Sequence, residues 1–205
     1  MPHKLEARKY DSIMRDLDGI SARTMTEHYK LYQGYVNKYN EIMSKIEAAD
    51  RASANQTFSD IRELKIDLTF AIGGVKNHEL YFGHLGGKGG EPPAEIRKQL
   101  EKNFGSVEKW MADLKATGMA SRGWAWTAYD RDWGYLFNYA GDAQNTFPVW
   151  NAVPIVGLDV YEHAYYLDYG TARASYIDKF FANLEWSAVG ENWERAVSGR
   201  KVSAA

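Results

Sequence analysis

Eight residues, Gly86-Gly-Lys-Gly-Gly-Glu-Pro-Pro93, hold four glycines and two prolines, and they divide the chain into two parts of different texture. Before them, apolar residues recur at three- and four-residue spacing from about Ser21 to Ala49: Met25, Tyr32, Val36, Tyr39, Ile42, Met43 and Ile46. That period predicts a long helix. Thr57-Phe-Ser-Asp60 has the form of a capping box with Asp in place of Glu, and it opens a second helix running to about Gly83. Two long helices joined by a short polar connection predict an antiparallel hairpin.

After the glycine-rich stretch, Pro92-Pro93 predicts a helix start, continuing to about Asn103. Ser106 is placed to cap a helix through Ala120. Trp124-Ala-Trp-Thr-Ala-Tyr129 and Trp133-Gly-Tyr-Leu-Phe-Asn-Tyr139 then read as two strands of a hairpin around Asp130-Arg-Asp132, with Ile155–Asp159 as a third strand. Tyr176–Leu184 and Glu191–Val197 read as closing helices. The expected class is α+β: an N-terminal antiparallel helical hairpin over 1–86, then a C-terminal α+β domain over 92–197 with a small antiparallel three-stranded sheet. Residues 198–205 are expected to be a disordered tail.

The chain has 205 residues, 45% hydrophobic and 25% charged, an ordinary balance for a protein with a substantial core. A net charge of -2 gives no basic footprint for nucleic acid. The absence of cysteine excludes disulfides, iron–sulfur clusters and thiolate zinc, and leaves His, Asp, Glu and Tyr as strong metal ligands. The charged start lacks the apolar segment of a signal peptide, and no apolar run reaches transmembrane length. The expectation is a soluble cytoplasmic protein with no membrane or nucleic-acid partner.

The densest chemistry lies in Asp159-Val-Tyr-Glu-His-Ala-Tyr-Tyr166, where two carboxylates, an imidazole and three phenols share eight residues. A strand ending in Asp with a His four residues on aims two ligands at one point. Of the five histidines, His3 lies in the chain start and is expected to be mobile and idle. A single helical His is more often an ordinary polar or core residue than a ligand. In an antiparallel pair, however, His28 early in the first helix faces His78 late in the second. With Asp159 and His163 they form a nitrogen–oxygen set that suits Mn or Fe better than structural zinc, although zinc also accepts His and Asp. His84 is expected on the surface or at the helix end.

From about Gly19 to Ala196 the chain resembles the iron/manganese superoxide dismutase family. Asp159–Tyr166 is similar to the family's D-x-W-E-H-A-Y-Y signature with Tyr161 for Trp, and Asn77-His78-Glu-Leu-Tyr-Phe82, Phe104-Gly-Ser106, Gly123-Trp-Ala-Trp126 and Tyr176-Ile177 follow in the family's order. The resemblance implies a metal between the two domains, held by His28, His78, Asp159, His163 and a solvent molecule. It implies disproportionation of superoxide to dioxygen and hydrogen peroxide by a homodimer or homotetramer. It implies one Mn or Fe ion per subunit, with Mn favoured because Gln144 matches the solvent-bonding glutamine of manganese-type enzymes while Gly74 stands where iron-type enzymes often carry theirs. It further implies a gateway role for Tyr35, a pocket wall from Trp124, Trp126 and Tyr161, a substrate-attracting charge at Arg173, and a dimer bridge through Glu162 and Tyr166.

The first helix departs from that pattern. Tyr35 follows His28 by seven residues instead of eight, and Leu31 and Tyr32 stand where the family has a His pair. Read without a gap, Glu27 takes the ligand position; His28 is preferred because imidazole fits the site chemistry. Two other readings compete: an idle scaffold of the same fold, which should have lost ligands, and a zinc hydrolase, which needs an acid or base beside an open site.

Overall fold

The computed structural model describes residues 3–146 and 149–199. The tail expected to be disordered falls mostly outside them, over 200–205.

Two long helices come first, α1 over Ala22–Ala48 and α2 over Asp60–Gly83. α1 starts where Ser21 Oγ accepts the Thr24 amide, a cap worth about 1 kcal/mol. Its inward stripe is Met25, His28, Tyr32, Val36, Tyr39, Ile42 and Ile46, so the helical period of the sequence is the buried face. The cap of α2 is Ser59, whose hydroxyl accepts the Arg62 amide, not Thr57. The two-residue correction has a local cause: the amides of Thr57 and Phe58 turn back to Asn55 Oδ1 and keep that segment out of the helix.

Beyond the connection lie α3 (Ala94–Phe104) and α4 (Val107–Ala120), the latter capped by Ser106. Gly105 between them has φ 90, a left-handed stop that suits glycine. Strands β1 (Trp124–Asp130), β2 (Tyr135–Gly141) and β3 (Ala152–Asp159) form an antiparallel sheet in the order β2-β1-β3. β1 is buried along its whole length. A bulge between Thr127 and Ala128 shifts the β1–β3 register and pairs Ala128 with Pro154, a residue with no amide to give to a regular ladder. Short helix α5 (Tyr166–Tyr169), then α6 (Arg173–Ala182) and α7 (Trp186–Ser198), close the chain. The expected hairpin and three-stranded sheet are both present; α5 was not foreseen.

The glycine-rich connection is pinned. Gly87 donates to Asn183 O, Gly89 donates to Leu184 O, and Leu85 bridges Leu184. A Cβ on Gly87 would stand 2.4 Å from Leu184 O, so the close approach requires glycine. One large core cluster runs through both halves, from Met25 and Phe82 to Trp124, Leu158 and Phe180. Among the described residues no helix is long and apolar enough to cross a membrane.

Candidate metal centre

α1 and α2 lie antiparallel and bring His28 and His78 into edge contact, ring centroids 5.0 Å apart. β3 ends in Asp159, and the following 3-10 turn, Glu162–Ala164, sets His163 beside it. One ligand atom from each of these four residues lies within 4.8 Å of the other three. Asp159 Oδ2 is the hub, 3.1 Å from His28 Nε2, 3.1 Å from His163 Nε2 and 3.7 Å from His78 Nε2. His28, His78 and Asp159 are fully buried, and His163 is partly open.

The nitrogen of His78 shows what the pocket suits. Its Nδ1 donates to Gly74 O at 2.6 Å, which leaves a lone pair on Nε2. Among the described residues that buried Nε2 has no hydrogen-bond partner. A buried acceptor without a donor is costly unless a Lewis acid takes it. A metal ion fits the lone pair, and the helix carbonyl behind the ring fixes its tautomer.

Protonation preferences point the same way at His28, His78 and Asp159, and the opposite way at His163. Burial, then repulsion from His28, holds His78 down to about 3. Burial also lowers His28. For Asp159, burial works to raise the carboxyl, but the charge and hydrogen bonds of His163 and His28 overcome it and hold it well below the usual range. Burial disfavours charge on His163 too, yet attraction to Asp159 outweighs it and moves the imidazole up. Ionised carboxylate and neutral buried imidazole are ligand forms.

Supporting contacts surround the four. Asp159 Oδ1 accepts the Tyr161 amide at 2.9 Å, which fixes the carboxylate plane. Tyr176 Oη donates to Asp159 O at 2.8 Å and pairs with Tyr81 Oη at 2.9 Å, all buried. Tyr161 stacks on His163, and Trp124 meets His78 edge-on. Gln144 Oε1 accepts from Trp124 Nε1 and Asn77 Nδ2, and its Nε2 donates to Tyr35 Oη at 3.3 Å. Gly73 and Gly74 make this possible. A Cβ on Gly73 would fall 1.9 Å from Gln144 O, and one on Gly74 would fall 2.4 Å from the Tyr35 ring. The close packing expected of that pair is therefore two separate contacts.

Sequence reasoning placed most of these residues together. His28, and not Glu27, enters the cluster; Glu27 pairs with Lys30 on the surface, its side chain 54% exposed. Arg173 donates to Tyr165 Oη and to the carbonyls of Ser121 and Gly118. Glu162 and Tyr166 are exposed and Trp126 is buried. In place of the family's His pair, Tyr32 is buried and donates to Glu79 Oε1, while Leu31 faces outward. For His84 the helix-end expectation holds and the surface one does not. His84 is fully buried at the end of α2 and takes the Gly157 amide on Nε2 at 3.0 Å, because β3 passes over that helix end. His3 is exposed, outside the cluster, and its ring meets Tyr39 edge-on. Reasoning also missed Asn77, Tyr81 and the Tyr176 hydroxyl, although all lie in the short motifs that carried the resemblance.

Comparison with known proteins agrees over nearly the whole length. The alpha-hairpin domain of iron/manganese superoxide dismutases matches residues 3–86, and the C-terminal domain of the same group matches 92–192. An iron superoxide dismutase of Aquifex pyrophilus is 43% identical over 201 residues, covering 95% of this chain and 93% of that one. The iron superoxide dismutase of Aquifex aeolicus is 42% identical over the same shares. A manganese superoxide dismutase of Halobacterium salinarum is 34% identical over 183 residues, covering 86% of this chain and 88% of its own. With an alpha-hairpin and an α+β half that both match, and four ligand-type side chains converging between them, the chain belongs to the iron/manganese superoxide dismutase family.

Proposed function

We propose that the chain disproportionates superoxide to dioxygen and hydrogen peroxide, with one iron or manganese ion held by His28, His78, Asp159 and His163. The observation that carries this reading is the unpartnered Nε2 of His78, aimed into a buried cluster with one carboxylate at its hub. When bound, the ion supplies a one-electron couple. The chain supplies the rest. One carboxylate and three neutral imidazoles keep the charge of the site low. His78 is oriented by Gly74 O, and Asp159 by the Tyr161 amide and the Tyr176 hydroxyl. Tyr35 and Gln144 form a hydrogen-bonded pair at the edge of the pocket, suited to holding a proton that peroxide formation needs. Trp124, Trp126 and Tyr161 exclude bulk water. To Arg173 we assign a share in attracting the anion, an effect of charge and not of contact.

On the identity of the ion, Gln144 with Gly74 supports manganese, and we propose manganese as the preferred metal; the two relatives near 43% identity are named for iron. Elemental analysis, with dismutation assayed after reconstitution with each ion, decides between them. A protein that takes up neither ion and shows no activity sinks the reading.

We place the division of the chain at 1–86 and 92–197, with the ion between the halves. A dimer is supported by one surface where Glu162, Tyr166 and Leu167 are exposed beside the partly open His163. In that dimer we assign Glu162 a bond to His163 of the partner subunit, which would fix its tautomer. Glu162→Ala should then lower both metal retention and the solution mass. A fully metallated dimer of that variant breaks the assignment.

A further inference from the structure

An unbroken series of aromatic contacts leads from the ligand cluster to the surface. The His78 ring meets Trp124 at 5.4 Å between centroids, and Trp124 stacks on Trp126 at 6.0 Å. Trp126 stacks on Tyr139 across the β1–β2 pair at 5.0 Å. Along one face of β2, Tyr139 contacts Phe137 at 5.4 Å and Phe137 contacts Tyr135 at 5.3 Å. Tyr135 stacks on Trp133 at 6.0 Å. Trp133 is 75% exposed. Packing accounts for the inner members. It does not account for the outer end, where Trp133 gains little burial and still stacks on an oxidisable phenol.

We propose that the rings from Trp124 to Trp133 form a protective electron path, carrying electrons from a surface reductant to oxidants formed beside the ligands. The proposal rests on the metal reading above. In a site that meets both superoxide and hydrogen peroxide, one of each gives dioxygen, hydroxide and a hydroxyl radical. That radical takes one electron from the Trp124 or Trp126 indole and becomes hydroxide, leaving an indole radical cation. Among the described residues Trp126 Nε1–H is buried and has no partner to receive its proton, so the cation stays protonated and strongly oxidising.

Tyr139 returns one electron to the indole. Its phenolic proton passes to solvent in a cavity of about 540 Å³ that Trp126 and Tyr139 both line. Tyr135 then reduces Tyr139 across Phe137, Tyr139 regaining a proton and Tyr135 losing one. Trp133 restores Tyr135 in the same way, with electron and proton. A thiol- or ascorbate-class reductant at the surface, giving one electron and one proton, restores Trp133. The ligand imidazoles are spared because the indoles oxidise first.

Trp150 supplies an internal control. It is 86% exposed, more than Trp133, and among the described residues it has no ring contact with the series. The experiment treats iron-loaded protein with hydrogen peroxide under steady superoxide generation, without added reductant. Oxidised residues are mapped by peptide mass spectrometry, and frozen samples are read by electron paramagnetic resonance. The native chain should show a tyrosyl signal and several-fold more oxidation at Trp133 than at Trp150. Tyr139→Phe keeps the ring and its packing but removes the easily oxidised phenol. Iron content and dismutation should be unchanged in that variant, while the tyrosyl signal drops, the Trp133 excess disappears, and oxidation of Trp124, Trp126 and the ligand histidines rises several-fold. Identical maps for both proteins, or equal oxidation of Trp133 and Trp150 in the native chain, overturn the path and leave the metal reading standing. A protein that binds neither iron nor manganese overturns both.

Discussion

Asp159 and His163 sit four residues apart and are positioned by one strand end and one turn, whereas His28 and His78 sit on two helices and meet only because those helices pack. The two halves of the site differ in what can disturb them. The local pair depends on short-range backbone geometry. The helical pair depends on the register of a hairpin, on its caps, and on whatever holds the hairpin against the sheet. Substitutions that touch each support separately can break this distinction or sharpen it.

The largest effect is expected at the hub. All three imidazole Nε2 atoms approach Asp159 Oδ2, so Asp159→Asn should lower metal retention by ~100-fold or more, beyond what losing an outer hydrogen bond costs. Competition with a chelator reads this directly. If His28→Gln loses the ion more readily, the helical pair and not the local one dominates.

Next comes the contact between the halves. His84, at the end of α2, accepts the Gly157 amide of β3 on Nε2, and burial holds its pKa down to about 4 from 6.5. The folded form thus resists a proton that the unfolded chain accepts. Its contribution to stability is unaffected above pH 6.5 and turns unfavourable as pH falls from 6.5 towards 4, reaching about 3 kcal/mol. Urea unfolding of metal-free protein should show that acid loss on top of those from His28 and His78, and His84→Gln should make the slope shallower over the same window by the His84 share alone. An unchanged slope in the variant moves the cause elsewhere, to His28 or His78.

A smaller effect is expected where the hairpin admits the loop after β2. Gly73→Ala drives a Cβ into Gln144 O, a backbone atom, and should destabilise by about 1–3 kcal/mol despite a better helix propensity. It should also disturb the Gln144–Tyr35 hydrogen bond, so dismutation should fall more than stability alone explains. The smallest effect belongs to the cap of α1. Ser21→Ala removes the acceptor of the Thr24 amide and should cost about 1 kcal/mol, with the affinity of the folded protein for the ion unchanged, as chelator competition can check.

The same distinction governs how much could be read from the sequence. Asp159 and His163 announce themselves because a strand pattern and a ligand cluster overlap within a dozen residues. The helical faces of α1 and α2 were legible from their period, and the hairpin placed His28 opposite His78. The structure also settles their neighbours in α1, with His28 inward and Glu27 out on the surface. Contacts between distant segments left no local trace. His84 reads as a helix-end residue until β3, 73 positions later, brings the Gly157 amide to it. The cap of α2 was misplaced because Thr57 and Ser59 both fit the pattern, and only the turn around Asn55 separates them. Tyr176 lay within a recognisable motif, but nothing in a motif says that its hydroxyl grips the carbonyl of Asp159.

The connection between Gly86 and Pro93 has a practical consequence. Glycine-rich segments are where a protease, or an engineer dividing a chain into fragments, would first look for a cut. Here backbone hydrogen bonds fasten the glycines to the turn between α6 and α7, and Trp186 Nε1 holds Gly90 O. A nick at this point would release no independent lobe. It would open a seam that stitches the end of α2 to the turn between α6 and α7, and residues from both sides of that seam close around the site.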